Sequence, residues 1–254
     1  MRRVSDGCTT GSRARWSVPE QLTEVEIVPF VGQQDILLHP DTLEVRPRWG
    51  AEAEALELGL EILSRAEEPV LVDVGAAAGE WTLLATCLPD LRVFAFEPHS
   101  AFASILRENV GLNGVYEQVN IYTLALGAAQ DVGGLSVPAD DTQWGLSTLG
   151  AEPGFEVGER RPVCVATLDQ FFTLQDPTII KIDAEGGERD VILGASDVIE
   201  RCGPAFVLEV CDKRTRQFGY KATELLDLME ELGYQGIKLP HDNRYFWKRD
   251  EHRP

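Results

Sequence analysis

The segment Val70-Leu71-Val72-Asp73-Val74-Gly75-Ala76-Ala77-Ala78-Gly79-Glu80 constrains this chain more than any other. Its first half is apolar on both faces, as a strand buried between two layers of helices must be. It then enters a turn of small residues and a helix from Gly79, the place where open α/β sheets bind their ligands. Comparable runs recur at 91–96, 119–126, 178–183 and 204–210, alternating with helical patterns over 100–112, from Gly187 and over 223–232. The last two runs, 235–239 and 244–248, are separated only by Pro240-His241-Asp242-Asn243. That link is too short for a parallel crossover, so it makes an antiparallel hairpin. The expected fold class is α/β: a Rossmann-like, mostly parallel sheet with a C-terminal antiparallel hairpin and helices on both faces.

The flanking sequence divides in three. Residues 1–16, rich in Ser, Gly, Thr and Arg, read as a flexible leader. Residues 17–69 read as a small N-terminal cap, with short hairpin strands at 25–30, 35–38 and 43–45 around the turn residues His39-Pro40-Asp41-Thr42. An amphipathic helix over 51–66 follows, with Leu56, Leu60 and Leu63 at helical spacing. Residues 70–254 form the ligand-binding domain. Within it, 127–160 interrupts the alternation with Gly, Asp and Pro around Trp144, which is the mark of a lid or substrate loop.

Composition narrows the classes. The 254 residues, 44% of them hydrophobic, suffice for a substantial core, and a net charge of −19 opposes attraction to nucleic acid or an anionic membrane. No run approaches the roughly 20 apolar residues of a membrane span, and the N-terminus has no apolar signal core, so the expected location is cytoplasmic. Five cysteines (Cys8, Cys87, Cys164, Cys202, Cys211) without a Cys-x-x-Cys pair read as free thiols. The cap either covers the active site or pairs with a second subunit as a homodimer.

The turn lacks the glycines of a phosphate fingerprint and the lysine of a P-loop. With Gly75, Ala76 and Gly79 in the turn and Asp73 beside it, the loop suits a ligand carrying an ammonium and a sulfonium better than a pyrophosphate. Glu97, in Phe96-Glu97-Pro98 at the end of the second strand, follows at close to the spacing of about 20 residues at which an acid reaches ribose hydroxyls. Ala125 and its neighbours offer the adenine backbone groups and an apolar floor. On the fourth strand, Asp183, Glu185 and Glu188 cluster at the carboxyl edge, and Glu209 ends the fifth. Acids beside β-branched residues are solvated, paired or coordinating. Glu188 also reads as a helix first-turn acid, and His99 as a helix cap or a cover for the ligand.

These segments resemble the FkbM-like class I methyltransferases, which use S-adenosylmethionine. The resemblance covers about 70–210: the 72–80 loop, Phe96-Glu97-Pro98, Leu106 to Asn113, Gly145-Leu146-Ser147-Thr148-Leu149, Thr167-Leu168-Asp169 and Lys181-Ile182-Asp183-Ala184-Glu185-Gly186-Gly187-Glu188 recur in this order. Ala77, Ala78 and Gly187 depart from the family pattern, which often has Asn, Ile or Val, and Ala there. The resemblance implies a methyltransferase-type sheet and an O-methyltransferase acting on a small-molecule hydroxyl, in a natural product or sugar-containing metabolite. Asp183 or Glu185 is then the general base or its orienter, with Glu209 shaping the pocket and Asp183 also at the cofactor. An alternative has Asp183, Glu185 and Glu209 hold one Mg²⁺. Trp144, Ser147, Lys213 and Arg214 are the candidate substrate contacts, the basic pair for an acceptor phosphate or carboxylate. Rival readings are a silent nucleoside-binding scaffold and an NAD-dependent oxidoreductase.

Overall fold

The computed structural model describes residues 25–45, 49–151 and 153–254, so the expected leader and the start of the cap lie outside the described residues. In chain order the elements are β1 (Glu26–Phe30), β2 (Gln34–Leu38), α1 (Asp41–Val45), α2 (Ala53–Arg65), β3 (Val70–Val74), β4 (Arg92–Phe96), α3 (Ser100–Leu112) and β5 (Val119–Tyr122). There follow β6 (Ala125–Leu126), β7 (Asp131–Pro138), β8 (Val157–Ala166), β9 (Ile179–Ile182), α4 (Glu188–Leu193), α5 (Ser196–Cys202), β10 (Ala205–Glu209), α6 (Asp212–Thr215), α7 (Ala222–Glu231), β11 (Gln235–Lys238) and β12 (Asn243–Trp247).

Seven strands form the central sheet in the order β11-β12-β10-β9-β3-β4-β5. The four pairings from β5 to β10 run parallel, and β12 inserts antiparallel between β10 and β11. The expected terminal hairpin is therefore present, and it closes the sheet at one edge. Side chains alternate across the sheet. Leu71, Val93, Ala95, Ile179 and Val207 point into one core with α2, α3 and the β1–β2 hairpin, whereas Val70, Val72, Phe94, Ile180 and Phe206 point into another with α4, α5 and α7. Burial on both faces explains why these strands lack polar alternation.

Four local expectations change. Residues 41–45 form the short helix α1 rather than a strand: Thr42 N–H donates to the His39 carbonyl at 2.9 Å, and Asn109 Oδ1 on α3 accepts from His39 N–H at 2.7 Å. Pro40 just ahead of it suits a helix start. The helix expected from Gly79 is a turn followed by a 3₁₀ segment, Thr82–Thr86. Pro89 disfavours helical backbone at Leu88 and so ends the segment there. Residues 119–126 split, because the chain leaves the sheet after Tyr122 and β6 joins a second, three-stranded sheet, β6-β8-β7. The 127–160 insertion is thus largely a β-hairpin, with a 3₁₀ turn at Asp141–Leu146.

No helix among the described residues is long and apolar enough to cross a membrane. Cys87, Cys164, Cys202 and Cys211 are free thiols, while Cys8 lies outside the described residues.

Candidate active site

At the carboxyl edge of β3, β4 and β9 the turn is stitched together from inside. Gly75 N–H and Ala76 N–H both donate to the Phe96 carbonyl (2.9 and 3.1 Å), and Gly79 N–H donates to the Ala76 carbonyl at 2.8 Å. Ala77 N–H goes to Glu97 Oε2 at 2.8 Å, and His99 N–H to Glu97 Oε1 at 2.7 Å. The amides that would cradle a pyrophosphate are therefore spent on the protein itself. Gly75 is required where it stands: its φ is +74°, and a Cβ there would lie 1.9 Å from the Asp183 carbonyl oxygen.

Against this turn lies a cavity of about 420 Å³, walled by Gly75, Ala77, Glu97, Pro98, Leu124 and Ala125, and farther round by Trp144, Ser147, Asp183 and Glu185. Its charged lining consists of carboxylates (Glu97, Asp131, Asp183, Glu185, Asp190), with no lysine or arginine among the described residues. Such a wall favours a cationic nucleoside over a phosphorylated one. Ala76 and Gly79 shape the turn from behind without facing the cavity.

Asp73 also stands behind the wall, contrary to the expectation that it would face the ligand. It is fully buried. Thr82 Oγ1 donates to Asp73 Oδ2 at 2.7 Å, and Lys181 Nζ lies 3.7 Å from Asp73 Oδ1 and 3.7 Å from Asp183 Oδ2. Lys181 also donates to the Gly75 carbonyl at 3.3 Å, so one buried ammonium ties the turn to Asp183. Burial pushes the Asp73 carboxyl up, and Lys181 opposes this. Lys181 had a visible signal, a cation within the otherwise apolar Ile179-Ile180-Lys181-Ile182.

The turn after β9 is braced from below. Glu188 is buried, and its Oε1 accepts from Ala184 N–H at 3.0 Å and Gly186 N–H at 3.1 Å, while Tyr220 Oη donates to the Gly186 carbonyl at 2.8 Å. Burial raises the Glu188 carboxyl to about 7, as it does Glu97. Glu188 thus organises the turn in addition to serving the α4 dipole. Glu185 is held at φ +51°, a left-handed conformation unusual for a side-chain-bearing residue, and its carbonyl accepts from Thr148 Oγ1 at 3.1 Å. The insertion is in this way fastened to the acidic turn.

A second cavity, about 210 Å³, adjoins the first and shares Asp183, Glu185 and Gly145 with it. Its other walls are Glu52 and Ala51 of the cap, Thr142 and Gln143 of the insertion, and Glu209, Arg214 and His241. The cap therefore forms part of the site, fixed there by Trp81 Nε1–H to Glu52 Oε2 (2.9 Å) and Gly50 N–H to Glu80 Oε1 (2.7 Å). Thr142 and Gln143 belong to the insertion expected as a substrate loop, whereas Glu52 and His241 escape sequence reasoning, because they come from separate segments with no common spacing.

Of the expected substrate contacts, Trp144 lines the larger cavity, packed 5.0 Å from His99 and 6.3 Å from Phe102 between ring centroids. His99 Nδ1 accepts from Phe102 N–H at 3.4 Å, so it caps α3. Ser147 Oγ is turned to the Trp144 carbonyl at 2.6 Å. Lys213 is exposed and borders neither cavity. Arg214 is engaged by carboxylates: Nε lies 3.0 Å from Glu185 Oε2 and Nη1 3.8 Å from Asp183 Oδ1, and Nη1 donates to Glu209 Oε2. Asp183, Glu185 and Glu209 bring oxygens within 4.8 Å of one another, a metal-like spacing, but the guanidinium is already among them.

Comparison with known proteins agrees with this geometry. The methyltransferase FkbM domain model matches residues 73–235, well over half of the chain. The AMB antimetabolite synthetase AmbE of Pseudomonas aeruginosa is 28% identical over 204 residues, covering 66% of this chain and 10% of its own length. The chain thus spans about a tenth of that curated relative. Among solved structures, one from Klebsiella pneumoniae assigned to the O-methyltransferases superposes with a TM-score of 0.50 at 14% identity, covering 82% of this chain and 88% of that one. Methyltransferase FkbM from Methylobacillus flagellatus KT gives 0.49 at 18% identity, covering 82% of this chain and 58% of the other. The chain belongs to the FkbM methyltransferase family and is an S-adenosylmethionine-dependent methyltransferase with a Rossmann-like fold.

Proposed function

We propose that this enzyme methylates a hydroxyl oxygen of a small polar molecule, such as a sugar-containing metabolite or natural product, seated in the smaller cavity. The observation that carries this reading is the meeting of the two cavities at Asp183 and Glu185. The larger cavity fits S-adenosylmethionine: Glu97 would take the ribose hydroxyls with the lone pairs left after its two backbone contacts, Leu124 to Leu126 the adenine, and the carboxylates the positive charge. When bound, the cofactor supplies a methyl group activated by a sulfonium.

The protein's part is alignment and removal of a proton. Burial and the neighbouring Asp183 push the Glu209 carboxyl up, and the Arg214 guanidinium beside it pulls it down. Glu209 Oε2 accepts from the guanidinium, which occupies it. Asp183 or Glu185 would accept the single hydroxyl proton of the acceptor as its oxygen takes the methyl carbon and the bond from that carbon to sulfur breaks. The mixed donors and acceptors of Glu52, Thr142, Gln143 and His241 suit a compact, hydroxyl-bearing acceptor.

Incubation with S-adenosylmethionine carrying a deuterated methyl and a panel of hydroxylated metabolites, read by mass spectrometry and NMR, tests the reading. An O-linked labelled methyl on a sugar or polyol is the expected product. Label found only on nitrogen or carbon would overturn the oxygen assignment.

A further inference from the structure

We propose that Arg214 is the positioning residue of the acceptor site, a resident guanidinium standing where a divalent cation would otherwise bridge Asp183, Glu185 and Glu209. The proposal builds on the reading of the smaller cavity as the acceptor site. Three carboxylates from two strand ends converge within 4.8 Å of one another, and like charges at that separation need a cation among them. The chain brings its own. Arg214 meets all three acids, with Nε on Glu185 and Nη1 between Glu209 and Asp183.

A guanidinium suits this position in a way that an ammonium or a hydrated ion does not. Its donors are fixed in one plane, so each contact limits the rotation of a different carboxylate. It also never gives up its proton, so the proton-accepting role stays with the acids. The backbone holds it in place. A Cβ at Gly186, whose φ is +104°, would lie 2.4 Å from the Arg214 carbonyl oxygen, so the turn bearing Glu185 packs directly on the segment bearing Arg214. Arg214 N–H and Thr215 N–H both donate to the Cys211 carbonyl at 3.0 Å, anchoring α6 next to the end of β10. Base and counter-ion are thus set by two turns in direct contact. A guanidinium shared by three carboxylates is also poorly placed to receive an acceptor phosphate, which revises the anion-binding role expected of Arg214 in the basic pair Lys213 and Arg214.

The test uses the full chain and two readouts that need no acceptor: Mn²⁺ titration followed by electron paramagnetic resonance, and calorimetric titration with S-adenosylhomocysteine. Wild type should leave Mn²⁺ free. Arg214→Met should take up one Mn²⁺ per chain at least about tenfold more tightly, through the vacated carboxylates. Arg214→Lys, which keeps the charge, should stay close to wild type in Mn²⁺ uptake. Wild type and both variants should bind S-adenosylhomocysteine within about threefold of one another, since Arg214 lies outside the larger cavity. Stoichiometric Mn²⁺ binding by wild type that Glu209→Gln abolishes would overturn the proposal. So would an Arg214→Met protein that binds the nucleoside normally yet gains no metal affinity. If Arg214→Met does not fold, wild type and Arg214→Lys decide the question: Mn²⁺ uptake by Arg214→Lys as tight as that expected of the methionine variant rejects the counter-ion role. Failure of the O-methylation reading would appear only in the acceptor screen and leave these results standing.

Discussion

The two adjoining cavities are built in opposite ways. The larger is built around backbone: a turn whose amides are consumed by Phe96 and Glu97, a glycine that tolerates no side chain, and an apolar floor where the chain leaves the central sheet for β6. The smaller is made of residues from the cap, the insertion, the turn after β9, the end of β10, α6 and the terminal hairpin. The cofactor is the same for every member of a family, so its site can be written into one strand and one turn. An acceptor differs between members, and a wall drawn from six segments can change one segment at a time. The FkbM domain match begins at residue 73, so the cap residues Ala51 and Glu52 lie outside it.

The largest expected effect breaks the backbone-built side of this comparison. Gly75→Val drives a branched side chain into the Asp183 carbonyl at positive φ, and should cost about 3–5 kcal/mol in chemical denaturation and abolish nucleoside binding. A folded variant that still binds S-adenosylhomocysteine would remove the close-approach argument. Next comes the shared wall. Once an acceptor is known, Glu185→Gln should lower kcat by about 10²–10⁴-fold while leaving nucleoside affinity nearly unchanged. An equal loss of both would show that Glu185 belongs to the cofactor site alone.

A smaller effect concerns pH. The Glu188 and Glu97 carboxyls titrate near 7 in the folded protein, above the usual 4.5 for an exposed glutamate, so the folded state holds these protons more tightly. Their stabilising contribution is complete below about 4.5 and is lost as the pH rises through about 7. Tm should therefore fall by a few degrees between pH 5 and 8, and Glu188→Gln should flatten that fall. A Tm that rises over this range in wild type and variant alike would contradict the assignment. The smallest effect sharpens the division of the insertion. Trp144→Ala should weaken S-adenosylhomocysteine binding by about 1 kcal/mol, whereas Gln143→Ala and Lys213→Ala should leave it unchanged. Equal weakening by Trp144→Ala and Gln143→Ala, with Lys213→Ala as the control outside the insertion, would mean that the insertion acts as one body.

How much of this was legible in the sequence follows the same division. The buried strands, α3 and the terminal hairpin are local patterns of period two or 3.6, and they stand where the residues place them. Glu97 was legible as a residue of the cavity wall because one strand–crossover–strand unit fixes its distance from the glycine turn. Long-range contacts decided the rest: α1 depends on Asn109, and Pro89 shortened the segment after Gly79. Strands β7 and β8 carry no clear apolar alternation, since β8 is mostly exposed. Asp73 looked like a ligand contact because its position in the turn says nothing of which way it faces. In the fold it pairs with Lys181 inside the sheet. Arg214 looked like a free cation until the chain brought three acids to it.

The division of labour between the cavities is tested most directly by calorimetric titration of S-adenosylhomocysteine into wild type, Glu97→Gln and Glu209→Gln, with NAD⁺ as control. Micromolar binding to wild type, a loss of about tenfold or more in Glu97→Gln, unchanged affinity in Glu209→Gln and no heat from NAD⁺ are the predicted results. Equal weakening by the two substitutions, or binding of NAD⁺, would contradict the account.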